Sequence, residues 1–197
     1  MHAQELLAQL PTSALGDEEL RALLPALRSA GERLAAAGRA PEAGQPATLY
    51  AGMENFQDRG PVAGLSNPIA PPLEVSIDTE AEVVRGRVRF STAYEGAPGL
   101  LHGGFLAAAF DELLGVATVF SGGAGMTREL QVRYLRPTPI GVELVFTGRL
   151  DRTLGRRLFV SAEVEANGLC TAEASGVFIA VGGEKFEQLA RARHERE

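Results

Sequence analysis

From residue 73 onward, apolar and polar side chains alternate along the chain, and this period-2 pattern predicts strands with one buried face and one exposed face. Six runs of this kind are separated by turns, at residues 73–78, 84–90, 126–136, 142–151, 157–166 and 169–181. The first two runs are adjacent, which predicts an antiparallel hairpin. Asn167-Gly168 lies between the last two runs and is a strong hairpin signal in its own right.

A single helix interrupts the alternation between the second and third runs. A Gly/Pro-rich loop ends at His102-Gly103-Gly104, and the residues that follow are apolar on nearly every side of a helix, which indicates a buried helix. Asp111 and Glu112 nevertheless lie in its middle, and because successive helical residues point about 100° apart, the two carboxylates face different surroundings. At least one is therefore expected in or beside the core. An ionised carboxylate there costs several kcal/mol unless it is paired, and chemistry is the leading reason to keep it.

The order of elements, two strands, one helix and four strands, indicates an α+β fold rather than alternating βαβ units. One antiparallel sheet covers only part of a helix that is apolar all round. A second copy of the sheet would complete the burial, so we expect at least a dimer.

The N-terminal segment shows a helical period instead. One apolar stripe is formed by Leu20, Leu23, Leu24 and Leu27. Pro25 is expected to kink or split this helix, and Gly38 to end it. The stripe is expected to pack on the domain's own surface; packing on a partner subunit and acting as a lid are the alternatives.

Three segments follow from these patterns. Residues 1–47 form an N-terminal helical extension and linker, residues 48–183 the folded domain, and residues 184–197 a charged C-terminal tail that is expected to fray.

Composition narrows the class of function. The chain of 197 residues is 45% hydrophobic and 22% charged, which is ordinary for a globular domain. A net charge of −6 argues against nonspecific nucleic-acid binding, and one cysteine with three histidines disfavours a zinc site. The sequence shows no signal peptide and no run of about 18 apolar residues, so we expect a cytoplasmic protein that does not contact a membrane.

One combination of residues carries a family resemblance. The run His102-Gly103-Gly104, six further residues and Asp111-Glu112, followed by Thr127 and by Tyr134-Leu-Arg-Pro137, resembles the hotdog-fold acyl-CoA thioesterases of the phenylacetate-pathway type and their human thioesterase superfamily relatives. The likeness covers roughly residues 65–182 and is specific for the superfamily rather than for a substrate. It implies a hotdog fold, in which an antiparallel sheet wraps around a long central helix. It also implies hydrolysis of an acyl-CoA thioester with no metal and no cofactor, since CoA is part of the substrate.

The resemblance also implies roles for single residues. Asp111 would be the catalytic carboxylate, activating water or attacking directly, and Thr127 would help to position the water. The backbone N–H of Gly103 would hold the thioester oxygen, with His102 and Gly104 shaping the loop. The chemistry agrees, because a helix N-terminus offers free N–H groups and a favourable dipole to a developing oxyanion. Glycine there lets a substrate approach the backbone closely.

The spacing of two of these residues predicts a composite site. Gly103 and Asp111 are eight residues apart, which is about 12 Å along one helix. One carbonyl group cannot readily touch both. Two antiparallel helices across a dimer interface would bring Gly103 of one subunit near Asp111 of the other, so we expect a homodimer, or a dimer of dimers, with two sites per dimer.

Each residue also has a simpler interpretation. Asp111 would then be a structurally paired acid and Thr127 a strand-start residue, while Glu112 is favoured as a surface or interface acid. His102 fits a loop-shaping role better than that of a base. Some arginines of the later strands would suit the CoA phosphates, but the sequence does not single any out. They are Arg128, Arg133, Arg136, Arg149, Arg152, Arg156 and Arg157.

The sequence alone leaves two other functions open. The first is non-catalytic binding or regulation by acyl-CoA or fatty-acyl groups. The second, enoyl-CoA hydration, is disfavoured because Asn67-Pro68 lacks the His and Asp expected just after it in the hydratase motif. The acyl group is also open, since it depends on the pocket shape around Phe105 and Phe110.

Overall fold

The computed structural model describes residues 16–37, 60–64, 67, 69–71 and 73–182. Their helices are α1 (Asp17–Ala37) and α2 (Gly103–Ala117). The strands are β1 (Glu74–Asp78), β2 (Val83–Arg89), β3 (Ala124–Tyr134), β4 (Glu143–Leu154), β5 (Arg157–Ala166) and β6 (Leu169–Val181). All six form one sheet in the order β1-β2-β4-β5-β6-β3, and every neighbouring pair is antiparallel. The predicted α+β hotdog architecture, one long helix against one antiparallel sheet, is confirmed.

Most strand boundaries follow the alternation, and the exceptions lie at turns. β5 and β6 have the predicted limits, and both Asn167 and Gly168 have positive φ (52° and 75°), as a two-residue hairpin turn requires. β4 runs three residues beyond the predicted end, because its ladder with β5 continues to the pair Leu154–Arg157. β3 begins and ends two residues earlier than predicted.

The core forms where α2 packs on one face of the sheet. The residues of α2 on this face are Leu106, Ala109, Phe110, Leu113, Leu114 and Ala117, all buried. The Phe110 ring packs edge-on against Phe146 of β4, with centroids 5.2 Å apart. Leu113 lies over two strand glycines, since a Cβ added at Gly86 or Gly148 would come within 2.9 or 3.0 Å of its methyl groups. Burying a leucine completely in this way contributes about 1.5–3 kcal/mol.

The opposite face of α2 is not covered by its own chain. Gly104 and Phe105 are exposed, and Ala108, Asp111, Glu112 and Gly115 are only half-buried. The helix that was predicted to be buried on every side is therefore buried on one side within a single chain. β3, beside this open face, is an edge strand with unpaired backbone groups along one side.

The apolar character of α2 also meets a criterion for membrane spans. The stretch Gly103–Ser121 is long and apolar enough to cross a membrane by length and composition. One such helix is weak evidence, because the core helix of a soluble protein passes the same test. Here the sheet already covers the side of α2 that carries its leucines.

The structure departs from the expectations about α1 in two respects. The helix is continuous from Asp17 to Ala37 with Pro25 inside it, so Pro25 does not split it. A missing N–H is tolerated here because residues 21–33 are all exposed and water can bond the freed carbonyl. Leu23, Leu24 and Leu27 are 45–57% exposed and do not pack on the domain's own surface.

α2 occupies one face of the sheet. The other face carries charged side chains such as Arg85, Arg87 and Arg149 together with apolar ones such as Phe159 and Val177. Gly38 and the tail 184–197 lie outside the described residues.

Candidate active site

The N-terminus of α2 is capped by His102. The backbone carbonyl of His102 accepts hydrogen bonds from the N–H groups of Phe105 and Leu106, at 3.0 and 3.3 Å. Its side-chain Nδ1 accepts the N–H of Gly104 at 3.1 Å. The ring nitrogen that accepts this bond, Nδ1, acts as the acceptor and not as a donor. In this arrangement His102 acts as a side-chain helix cap.

The loop before α2 is tied down by backbone bonds. The N–H of His102 donates to the carbonyl of Tyr94 at 2.9 Å, and that of Leu101 donates to Thr138 at 2.9 Å. A Cβ added at Gly96 would lie 2.9 Å from Cα of His102, so residue 96 has to be glycine for the loop to close on the cap. The position of the helix N-terminus is therefore fixed by contacts on several sides.

Gly103 presents an open donor at this N-terminus. It is the first residue of α2, and its N–H has no acceptor among the described residues. The N–H of Gly104 is already engaged by His102. An unsatisfied N–H at the positive end of a helix dipole favours an anion or a developing oxyanion.

Tyr134, at the end of β3, is a contact of this N-terminus to which the sequence assigned no role. Its hydroxyl donates to the carbonyl of Gly103 at 2.8 Å. A Cβ at Gly103 would lie 3.2 Å from that hydroxyl oxygen and 3.3 Å from Cζ, so the phenol ring fills the space that a side chain would need. The period-2 pattern puts Tyr134 on the same face of the strand as Leu130 and Val132, but it did not predict this contact.

A second cluster lies further along α2. The hydroxyl of Thr127 donates to Oδ1 of Asp111 at 2.9 Å. The bond leaves Oδ2 of Asp111 without a hydrogen-bond partner among the described residues. A half-buried carboxylate held in this way has one oxygen available to accept a proton from water.

A β-bulge makes the contact with Asp111 possible. Thr127 and Leu130 are three residues apart, and in a regular strand an odd spacing puts two side chains on opposite faces. The ladder between β3 and β6 pairs Thr127 with Phe178 and Glu129 with Val177, which leaves Arg128 as the extra residue. Thr127 and Leu130 therefore both face α2.

Glu112, next to Asp111, is a half-buried acid with no ion pair or hydrogen bond among the described residues. Burial raises the pKa of its carboxyl group above the ordinary value, and the negative charge of Asp111 raises it further. Because nothing holds the Glu112 carboxylate in place, it is a poorer candidate than Asp111 for a positioned base.

The predicted site residues thus fall into two clusters within one chain. His102, Gly103 and Gly104 lie at the start of α2, while Asp111 and Thr127 lie two turns further on. Eight residues of helix separate Gly103 from Asp111, about 12 Å. A single chain does not bring its open N–H and its carboxylate to one small ligand.

The seven arginines that were considered for the CoA phosphates differ in their contacts within the chain. Arg133 pairs with Glu173, Arg136 donates to the carbonyl of Cys170, Arg156 donates to that of Ala180, and Arg152 stacks on Phe159. The other three in the group, Arg128, Arg149 and Arg157, have no such contact within the described part of the chain.

A surface depression formed by strands β3 to β6 lies away from both clusters. Its volume is about 510 Å³, and its walls are mostly polar side chains of β3 to β6, including Arg149 and Glu163. Neither Asp111 nor Gly103 borders it, so it is not the candidate site. Across the described ranges, no three His, Cys, Asp or Glu side chains lie together in a way that would hold a metal ion.

Comparisons with known proteins agree with this fold. Residues 98–169, which include α2 and both clusters, match the family model of the thioesterase superfamily. A crystal structure of a thioesterase superfamily protein superimposes with a TM-score of 0.75 at 30% identity, covering 90% of this chain and 86% of that one. The Escherichia coli PaaI protein from the phenylacetic acid degradation operon has the same fold, with a TM-score of 0.53 at 18% identity over 57% and 82% of the two chains.

Curated sequences give a second comparison. The chain is 42% identical over 93 residues to the acyl-coenzyme A thioesterase THEM4 of Bos taurus, and 30% identical over 96 residues to THEM5 of Mus musculus. These matches cover 46% and 48% of this chain. They span 38% and 39% of the two relatives, so the likeness is to a part of each.

Proposed function

Because the chain belongs to the thioesterase superfamily, we propose that it hydrolyses acyl-coenzyme A thioesters to a free acid and CoA. The single observation that carries the proposal is the Asp111 carboxylate, which a hydrogen bond from Thr127 of β3 orients. Asp111 lies on the same helix whose N-terminus presents a free N–H at Gly103. The curated relatives are named acyl-coenzyme A thioesterases, which supports the same substrate class.

The chemistry assigns one task to each cluster. The thioester carbonyl oxygen binds to the N–H of Gly103, where negative charge that develops on it is stabilised. Oδ2 of Asp111 accepts a proton from a water molecule, whose oxygen attacks the carbonyl carbon. The tetrahedral intermediate then expels the CoA thiolate, which takes up the proton from Asp111. Direct attack by Asp111, through an anhydride that water then cleaves, is the alternative route with the same residues.

Two subunits are needed for these tasks to meet on one substrate. The open face of α2 carries the small residues Gly104, Ala108 and Gly115, which let a second helix approach closely, and the adjacent β3 is a free sheet edge. In an antiparallel pair of α2 helices, the start of one lies beside the middle of the other. We therefore place Gly103 of one subunit and Asp111 of its partner in each of two sites.

A panel of acyl-CoA esters, with the released thiol as readout, tests the activity. We expect hydrolysis of at least one ester and loss of turnover in Asp111→Asn. If no ester is hydrolysed while CoA esters still bind, the chain is an acyl-CoA binding protein and the enzymatic proposal is wrong.

Mixed dimers test the composite site separately. Asp111→Asn and Gly103→Pro subunits, carrying different tags, are co-expressed, and the heterodimer is isolated. A composite arrangement leaves one intact site per heterodimer, so about half of the wild-type activity is expected although each parent is inactive. If each site lies within one chain, the heterodimer has no intact site and its activity stays at the level of the parents.

A further inference from the structure

The peptide group between Gly103 and Gly104 is held from both sides. Its carbonyl oxygen accepts the hydroxyl of Tyr134 at 2.8 Å, and its N–H donates to Nδ1 of His102 at 3.1 Å. The two bonds are linked through the one amide group, and bonds linked in this way polarise and strengthen each other. One amide plane at the start of α2 is thus clamped between a strand residue and the helix cap.

Such a clamp matters because two consecutive glycines have the widest range of backbone conformations of any residue pair. The Gly103 N–H belongs to the preceding peptide group, which meets the clamped one at the Cα of Gly103, so holding the clamped group limits how far this N–H can turn. The phenol ring of Tyr134 also occupies the volume beside Cα of Gly103, which restricts movement on that side.

We propose that Tyr134 is a positioning residue for the oxyanion donor: its hydroxyl, acting with His102 on the Gly103–Gly104 peptide, keeps the N–H of Gly103 aimed at the substrate. The role rests on the proposed function, but the clamp itself is a property of the free protein. The same strand also carries Thr127, which orients Asp111. β3 therefore positions both chemical groups, one near each of its ends.

Tyr134→Phe removes the hydroxyl and keeps the ring. We expect kcat to fall about tenfold with KM changed less than twofold, because the oxyanion is formed in the transition state and not in the bound ester. The amide of Gly104 should exchange with solvent hydrogen several-fold faster, while amides of the β4–β5 ladder keep their protection. His102→Ala should weaken the same clamp, and the double variant should lose less than the product of the two single losses.

The outcomes separate the two proposals. If Tyr134→Phe lowers the thermal midpoint and speeds exchange throughout the sheet but keeps the wild-type kcat, Tyr134 is merely structural and the positioning role is wrong. Unchanged exchange at Gly104 overturns the clamp even if the wild-type protein hydrolyses no ester. Absence of hydrolysis together with faster exchange at Gly104 overturns the proposed function and leaves the clamp in place.

Discussion

The hydroxyl of Thr127 and the carboxylate of Asp111 lie 2.9 Å apart, joined by a hydrogen bond from β3 to α2. The bond uses one carboxylate oxygen and therefore also fixes where the other one points. It explains how a half-buried acid on an apolar helix keeps a single orientation without an ion pair.

Removing that hydroxyl should reduce turnover without unfolding the protein. Thr127→Val keeps the shape of the side chain and loses the donor, and we expect kcat to fall about tenfold, equivalent to about 1.4 kcal/mol. Thr127→Ser keeps the donor and should remain within about threefold of wild type. Equal turnover rates for Thr127→Val and the wild type would show that the Thr127 hydroxyl does not contribute to catalysis.

Asp111→Asn should abolish nearly all hydrolysis. The amide cannot take a proton from water, and loss of a general base lowers rates by about 10²–10⁴-fold. Binding of CoA esters, measured by calorimetry, should change little. Glu112→Gln is the matched control, a neighbouring acid made neutral, and it should keep most of the activity. A loss of similar size in both variants would argue against a specific role for Asp111.

Proline at residue 103 would delete the oxyanion donor and keep the start of the helix, although its Cβ would also press on Tyr134. Gly103 is the first residue of α2, a position where proline is well tolerated, and the extended backbone of His102 (φ −62°, ψ 127°) suits a residue before proline. Gly103→Pro removes the N–H, and kcat should fall about 10²–10³-fold.

Gly103→Ala is the control for Gly103→Pro, because it adds the same Cβ beside Tyr134 but keeps the N–H. The alanine variant should retain clearly more activity than the proline variant. Equal losses would mean that the Cβ, and not the missing donor, causes the defect.

The raised pKa of Glu112 predicts how the stability of the folded protein depends on pH. Its folded-state pKa is raised, so the folded protein binds the proton more tightly than the unfolded chain does. The resulting destabilisation is absent below the ordinary glutamate pKa, grows as pH rises through the folded-state pKa, and is fully present above it. Glu112→Gln should therefore raise the thermal midpoint at neutral pH and have a smaller effect near pH 4, about the ordinary value. A stabilisation that is the same at both pH values would contradict this origin.

The fold was readable from the sequence because strand alternation and turn chemistry agree along most of the chain. The hairpin at Asn167-Gly168 is an example, since two positive φ angles are what that dipeptide favours. The leucine stripe of α1 was predicted as a helix, but its exposure was not, because amphipathic spacing does not say which surface is available.

The site was readable only in part. His102, Gly103 and Asp111 stand out through their spacing, but strict alternation from Leu130 would direct Thr127 away from the helix. The bulge at Arg128 reverses that direction, and no residue type in the sequence marks it. Tyr134 was missed for another reason: a helix-facing aromatic residue in a strand resembles ordinary core, although it is 54% exposed and bonds to backbone.

The Tyr94 hydroxyl donates to the carbonyl of Ile69, and the N–H of Leu73 donates to that of Val62. Residues that precede the first strand thus hold Tyr94 in place, and Tyr94 in turn bonds to the backbone of His102 at the start of α2. We call these bonds the brace of the loop. A shortened protein that begins at Leu73 would contain every strand of the sheet and still lose this brace. The smallest fragment with native chemistry should therefore begin no later than Gly60, well ahead of the point where the alternating pattern begins.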